Sequence, residues 1–208
     1  MIYFIGILIA YLIGSIPVGY IFGKVLKGLD IRQHGSGNVG ATNVFRVVGK
    51  GAGIVVLFLD GLKGYLAVKL IPVLLPGSAG PEGEVSIVFL ILLGSAAVAG
   101  HIWTVFLKFK GGKGVATTAG IMIALAPGVF LGGLIVWVLV FFVSKYVSLA
   151  SMCAAVSLPI ISLVTGKSLS FIFFASILCM VGVWSHRSNI KRLIQGAENK
   201  IVKTQKSH

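Results

Sequence analysis

The sequence is short of acid. Its 208 residues carry 5 Asp+Glu against 18 Lys+Arg, and charged residues of both signs together make up only 11%. A water-soluble domain carries about a quarter charged residues. With 57% hydrophobic residues, this chain has too little charge to cover a water-facing surface, so lipid must face much of it. Cysteine is scarce: Cys153 and Cys179 both lie in apolar stretches. They lack the spacing of a metal site or a disulfide framework and read as small buried hydrophobes. The N-terminal MIYFIGILIAYLIGSIPVGYIFG has no basic stretch ahead of its apolar run and no small-residue cleavage site, so it reads as a retained span. Clustered aspartates are missing, and with them the oxygen donors of a divalent-cation site; no metal and no cofactor is expected. A Walker A loop is missing as well. Lys113 is followed by Gly114, and Thr165-Gly166-Lys167-Ser168 has Ile161 where that pattern needs glycine.

What is present is a formal net charge of +13. In a soluble protein this would point to nucleic acid. Here the placement of Lys and Arg in cytoplasmic loops accounts for it first, so no nucleic-acid partner is expected. The cations left over suit anionic lipid or an anionic substrate. Spans of about 20 apolar residues are predicted over Ile2 to Gly23, Gly51 to Leu75, Val85 to Leu107, Val147 to Val164 and Leu169 to Trp184. The basic residues between them fall in three places: Lys24, Lys27, Arg32, Arg46 and Lys50; then Lys108, Lys110 and Lys113; then the tail from Arg187 through Lys206. The connection Pro76 to Glu84 has none, and contains Glu82 and Glu84. The positive-inside rule makes the three basic regions cytoplasmic and the N-terminus external. One pass through the remaining stretch, Val115 to Val143, would put the basic tail outside; two passes restore parity. Ala126-Pro127-Gly128 and Gly132-Gly133 offer the break. The predicted fold is an all-α polytopic membrane protein of seven spans, two of them short around Pro127-Gly128, with the C-terminus cytoplasmic; five spans is the alternative. One integral-membrane domain covers 1–208. Its tail, with Ile190, Leu193, Ile194 and Ile201 beside basic residues, is expected to rest on the interface.

Three polar segments, about 34–46, 110–118 and 185–198, fall on the predicted cytoplasmic side. In the first, Ser36-Gly37-Asn38-Val39-Gly40-Ala41-Thr42-Asn43 leads to Arg46. Glycines there permit a concave run of backbone N–H groups that favours phosphate. Ser36, Asn38, Thr42 and Asn43 add hydrogen bonds, and Arg46 adds a bidentate fork. In the second, Gly111, Gly112 and Gly114 surround Lys113 ahead of a helix, which makes Lys113 a point charge for phosphate. In the third, His186 and Asn189 are three apart on one helical face. Asp60 and Lys63 lie inside a predicted span, where they can neutralise one another. Ser148 and Ser151 start another span and face either the site or a neighbouring helix.

SGNVGATN followed by Arg46, the internal DGLKG, GGKGVAT, and NIKRLIQGAE after His186 together resemble the bacterial acyl-phosphate:glycerol-3-phosphate acyltransferases over essentially the whole chain. The resemblance implies a small polytopic enzyme of the inner membrane. It would move a fatty acyl group from acyl phosphate to the sn-1 hydroxyl of glycerol 3-phosphate, giving lysophosphatidic acid and phosphate. A transient contact with the enzyme that makes acyl phosphate follows from it. On this reading Ser36 and Lys113, with the backbones of Gly37, Gly40, Gly111, Gly112 and Gly114, hold the acyl-phosphate headgroup. Arg46, His186 and Asn189 position glycerol 3-phosphate, and Asn38, Thr42, Asn43 and Ser151 complete the substrate contacts. The proton acceptor is either His186 or a substrate phosphate. The HxxxxD pattern of another glycerolipid acyltransferase class is absent, since Val39, Phe106 and Lys191 follow His34, His101 and His186 at that spacing. The alternative function is a secondary transporter of a small phosphorylated anion.

Overall fold

The computed structural model describes residues 1–75, 77 and 84–200. The acidic Pro76–Glu84 connection lies outside them apart from Gly77 and Glu84, as does the tail beyond Lys200. The helices are α1 (Ile2–Ser15), α2 (Val18–Lys27), α3 (Ala41–Val47), α4 (Lys50–Leu74), α5 (Ile87–Ile102), α6 (Val115–Leu125), α7 (Pro127–Ser144), α8 (Val147–Val164), α9 (Leu169–Ser185) and α10 (Arg187–Ile194), with 3-10 turns at Ile31–Gln33 and Val105–Leu107. The protein is an all-α polytopic membrane protein. Among the described residues, Ile2–Lys27, Ile87–Leu107, Pro127–Ser144 and Val147–Val164 are long and apolar enough to cross a membrane, and α9 with α10, bent by 56°, makes a fifth. The exposed side chains agree: Phe58, Phe142, Val143, Leu169 and Phe173 are all more than half exposed, a cost in water but none in lipid. The chain divides into two compact units, Met1–Pro127 and Gly128–His208.

In the first unit α1 lies alongside α5. A Cβ at Gly14 would collide with Ala97 and one at Gly100 with Tyr11 O, so small residues set how closely these helices approach. α4 crosses α6 in the same way through Gly61, Gly64 and Gly120. The first predicted span is broken. Pro17 has no N–H, and the residue before it is pushed out of the helical region; Ile16 sits at φ −55°, ψ 115°. Carbonyls freed at that break are taken by side chains: Thr104 Oγ1 donates to Ser15 O at 2.6 Å and Lys63 Nζ to Ile16 O at 3.0 Å. α4 runs for 25 residues, about 37 Å at 1.5 Å per residue, with Asp60 and Lys63 in its interior.

The break predicted near Pro127 falls at Ala126. It divides the stretch unequally, into 11 residues of α6 and 18 of α7. Only α6 is therefore short, about 16 Å against a hydrocarbon core of about 30 Å; the expectation of two short spans of similar length is corrected here. Proline begins α7 because the first helical turn leaves its N–H unpaired anyway. In the second unit α7 and α8 run antiparallel, with Gly132 against Ile161, Gly133 against Leu158 and Trp137 against Ser151. α9 follows a turn closed by Gly166 at φ +65°.

Candidate active site

The segment after α2 is organised from one buried amide. Asp30 caps the 3-10 turn, accepting from Arg32 N at 3.0 Å and pairing with the Arg32 guanidinium at 2.6 Å. Hydrogen bonds from Arg32 hold the Asp30 carboxyl down at about 2, and the guanidinium lies over the Tyr20 ring. Beyond this turn Asn43, only 2% exposed, spends its whole side chain on the loop. Its Oδ1 accepts from Ser36 N at 2.8 Å, and its Nδ2 lies 2.8 Å from Asn38 O, 3.0 Å from His34 O and 3.2 Å from Ile31 O. Gly35 and Gly37 have φ of +61° and +71°, and a Cβ at Gly35 would collide with Asn43 Oδ1. Asn38 Oδ1 accepts from Gly40 N at 2.9 Å, which is where α3 begins. Ser36, Asn38, Thr42 and Arg46 remain half-exposed around this frame.

The second loop folds back onto the end of α5. Gly111 N donates to Ile102 O and Gly112 N to His101 O, each at 2.9 Å. A Cβ at Gly111 would collide with His101 O and one at Gly112 with the His101 ring. Gly114 caps α6 at φ +80°, a left-handed conformation that glycine adopts without penalty. Lys113 is thus presented, half-exposed, from a turn with no slack. An apolar cluster of Val18, Ile31, Val39, Val44, Val56 and Leu107 lies beneath both loops and brings them onto one base.

The glycines therefore do a different job from the one their sequence pattern implies. The N–H groups of Ser36, Gly37, Gly40, Gly111 and Gly112 all bond within the protein. They shape the loops.

In the second unit the third segment is built around Glu198. Its Oε1 accepts from Asn189 Nδ2 at 2.7 Å and from Ser148 Oγ at 3.0 Å, and its Oε2 accepts from Arg192 Nε at 2.7 Å. Burial opposes the charge, yet hydrogen bonds from Asn189, Arg192 and Ser148 outweigh it and hold this carboxyl below the usual glutamate range. His186, 3% exposed, donates Nδ1–H to Gly182 O at 2.8 Å, which makes Nε2 the acceptor nitrogen of the neutral ring. Ser151 accepts from Trp137 Nε1 at 3.1 Å. Sequence reasoning missed Glu198 and Trp137 as organisers. A lone acid in a basic tail, nine residues after Asn189, was the available signal for the first; an indole inside an apolar run gives none.

A family model described as Glycerol-3-phosphate acyltransferase matches residues 4–196. A glycerol-3-phosphate acyltransferase of Desulforamulus reducens is 43% identical over 192 residues, covering 92% of both chains. One from Listeria welshimeri is 46% identical over 194 residues, covering 93% of this chain and 94% of its own. The crystal structure of PlsY, an integral membrane glycerol 3-phosphate acyltransferase, in its glycerol 3-phosphate form, is similar with a TM-score of 0.86 at 42% identity over 96% of each chain. Its lysophosphatidic acid form gives a TM-score of 0.83 at 41% identity, over 96% of this chain and 95% of that one. The chain belongs to the glycerol-3-phosphate acyltransferase family.

Proposed function

We propose, from this family membership, that the chain transfers a fatty acyl group from acyl phosphate to the sn-1 hydroxyl of glycerol 3-phosphate, giving lysophosphatidic acid and inorganic phosphate. The observation that carries the proposal is the pair of glycine-shaped loops, around which Ser36, Asn38, Thr42, Arg46 and Lys113 stay partly exposed. Both substrates carry phosphate, and hydroxyl, amide, ammonium and guanidinium groups are the donors phosphate takes.

The roles we assign rest on the motifs and the family. Ser36 and Lys113, with Asn38, hold the acyl-phosphate headgroup and stabilise negative charge as it develops on the acyl carbonyl. The family resemblance assigns Arg46 to the phosphate of glycerol 3-phosphate, and His186 and Asn189 to the approach of its hydroxyl. The hydroxyl oxygen forms the ester bond, the bond from acyl carbon to phosphate oxygen breaks, and phosphate leaves. The hydroxyl proton goes to His186 Nε2 or to a substrate phosphate, which titrates near about pH 6. Asn43 positions the first loop rather than touching substrate. Ser151 lines the substrate path.

The topology we propose has seven spans: α1 with α2, then α4, α5, α6, α7, α8 and α9. The N-terminus is external, and the basic segments face the cytoplasm of a bacterial inner membrane. Transient contact with the acyl-phosphate-producing enzyme fits a donor that partitions into lipid. A cysteine inserted directly after Met1 and one at position 191, in a protein with Cys153 and Cys179 replaced by serine, reacted with a membrane-impermeant maleimide in intact cells, check this topology: label at the first and none at the second is expected.

The activity test is acyl transfer by purified protein in lipid, with palmitoyl phosphate and labelled glycerol 3-phosphate, and palmitoyl-CoA in parallel. Labelled lysophosphatidic acid from the phosphate donor alone is expected. Lys113→Ala and Arg46→Ala should lose it while expressing normally. Uptake of glycerol 3-phosphate into vesicles without acylation would refute the proposal in favour of a transporter.

A further inference from the structure

The roles above leave the two charges inside α4 unused. Asp60, Lys63 and His101 are 2%, 6% and 7% exposed, and none of those roles uses them. A buried ion pair can often be replaced by apolar side chains of similar volume without loss of stability, and inside a membrane its desolvation is costly. Helix packing alone does not call for it. His101 adds to the anomaly, because its Nδ1 has no hydrogen-bond partner among the described residues and stands 3.7 Å from Asp60 Oδ1.

The contacts of the three residues lead outward along two routes. Lys63 Nζ is 2.8 Å from Asp60 Oδ1 and donates to Ile16 O at 3.0 Å, the carbonyl just before Pro17, which also accepts from Val18 N. Beyond that break α2 carries Gly19, packed so closely that a Cβ would collide with Val39 O. Val39 adjoins Asn38 in the first loop. On the other side the His101 ring fills the space against Gly112, and its backbone carbonyl receives the Gly112 N–H. Ile16, Gly19, Val39, Asp60, Lys63, His101 and Thr104 all border one small cavity. The apolar cluster beneath the loops has no directional bonds and tolerates sliding; an ion pair bonded to a carbonyl and a ring wedged against a glycine do not.

We propose that Asp60, Lys63 and His101 are positioning residues for acyl transfer, fixing the register of the Ser36 loop against the Lys113 turn. The proposal rests on the acyltransferase reading for its rate effect, and on the structure alone for its effect on the loops.

The test compares the parent protein in lipid with Asp60→Asn/Lys63→Met, which removes both charges, and with His101→Leu, which removes the imidazole, each at similar volume. His101→Gln, which keeps a nitrogen near the Nε2 position, serves as the conservative variant. We expect melting temperatures close to the parent, and faster amide exchange in peptides covering 34–46 and 107–118 but not in α8. The expected fall in kcat is about 100-fold, the scale of an ångström of misplacement, with His101→Gln recovering part of it. Parental kcat and exchange in the variants would overturn the proposal. So would a rate loss accompanied by a lower melting temperature and raised exchange throughout. A parent that transfers no acyl group would refute the acyltransferase reading, while the exchange data would still decide whether these residues hold the loops.

Discussion

Replacing Asn43 tests whether one amide holds the first loop. In Asn43→Ala, Ile31 O keeps its bond from His34 N and His34 O keeps its bond from Gly37 N. Two groups are left over: Ser36 N–H, whose acceptor was Asn43 Oδ1, and Asn38 O, whose donor was Asn43 Nδ2. An unpaired buried polar group costs about 1–3 kcal/mol, and both residues are half-exposed, so water recovers part of it. The working figure is about 2–4 kcal/mol against the native loop, or about 30- to 1,000-fold in the population able to react at about 1.4 kcal/mol per decade. Asn43→Asp separates polarity from volume. It keeps an acceptor for Ser36 N but turns a second oxygen toward three carbonyls, and should lose at least as much as alanine. The assay is kcat/KM for acyl transfer in lipid, with thermal unfolding alongside. An Asn43→Ala protein within about threefold of the parent, or an Asn43→Asp protein more active than Asn43→Ala, would refute the reasoning.

Glu198→Gln keeps the shape but not the charge facing Arg192, and should cost about 2 kcal/mol, a charged hydrogen bond with one partly exposed partner. Because the Glu198 carboxyl is held below its ordinary 4.5 when folded, its contribution is complete above that value and is lost as pH falls through the lowered one. The parent's advantage in melting temperature should be flat from about pH 7 to about pH 5 and shrink below; an advantage that grows on acidification would contradict this. Gly112→Ala drives a methyl into the His101 ring and should lower kcat about 100-fold. Gly114→Ala pays only for its left-handed backbone, about 1–2 kcal/mol, seen in the melting temperature; equal, small effects on rate would disprove the packing account. Trp137→Phe and Ser151→Ala each break the same hydrogen bond, worth about 1 kcal/mol. If Ser151 also lines the substrate path, only Ser151→Ala raises KM; matching KM values would leave it a packing residue.

Some of the fold was legible because lipid imposes simple rules. Apolar length and the break at Ala126 follow from hydrophobicity and from proline chemistry, and they survive in the structure. The break at Pro17 was equally written in the sequence, but an uninterrupted apolar run masked it. Its consequence, carbonyls handed to Lys63 and Thr104, depends on residues 47 and 89 positions away in sequence, and no local pattern reports such a contact. Glu198 was hidden for a related reason: its partners Asn189, Arg192 and Ser148 are spread over two helices, and only folding makes them neighbours.

The glycine-rich segments show how one sequence pattern serves two structural ends. Glycine ahead of a helix is a fair sign of phosphate binding when the freed N–H groups point outward. The same residues are also what a chain needs when a loop must press onto a helix end, as Gly111 and Gly112 press onto α5, or bend around a buried amide, as Gly35 does around Asn43. Sequence spacing is identical in the two cases. What separates them is the destination of each N–H, and here the bonds run to Asn43 Oδ1, Asn38 Oδ1, His34 O, His101 O and Ile102 O. Loops tied inward at so many points are stiff, and stiffness is what the site proposed for Ser36, Arg46 and Lys113 would need: side chains must be held in place before substrate arrives if they are to stabilise charge that exists only in the transition state.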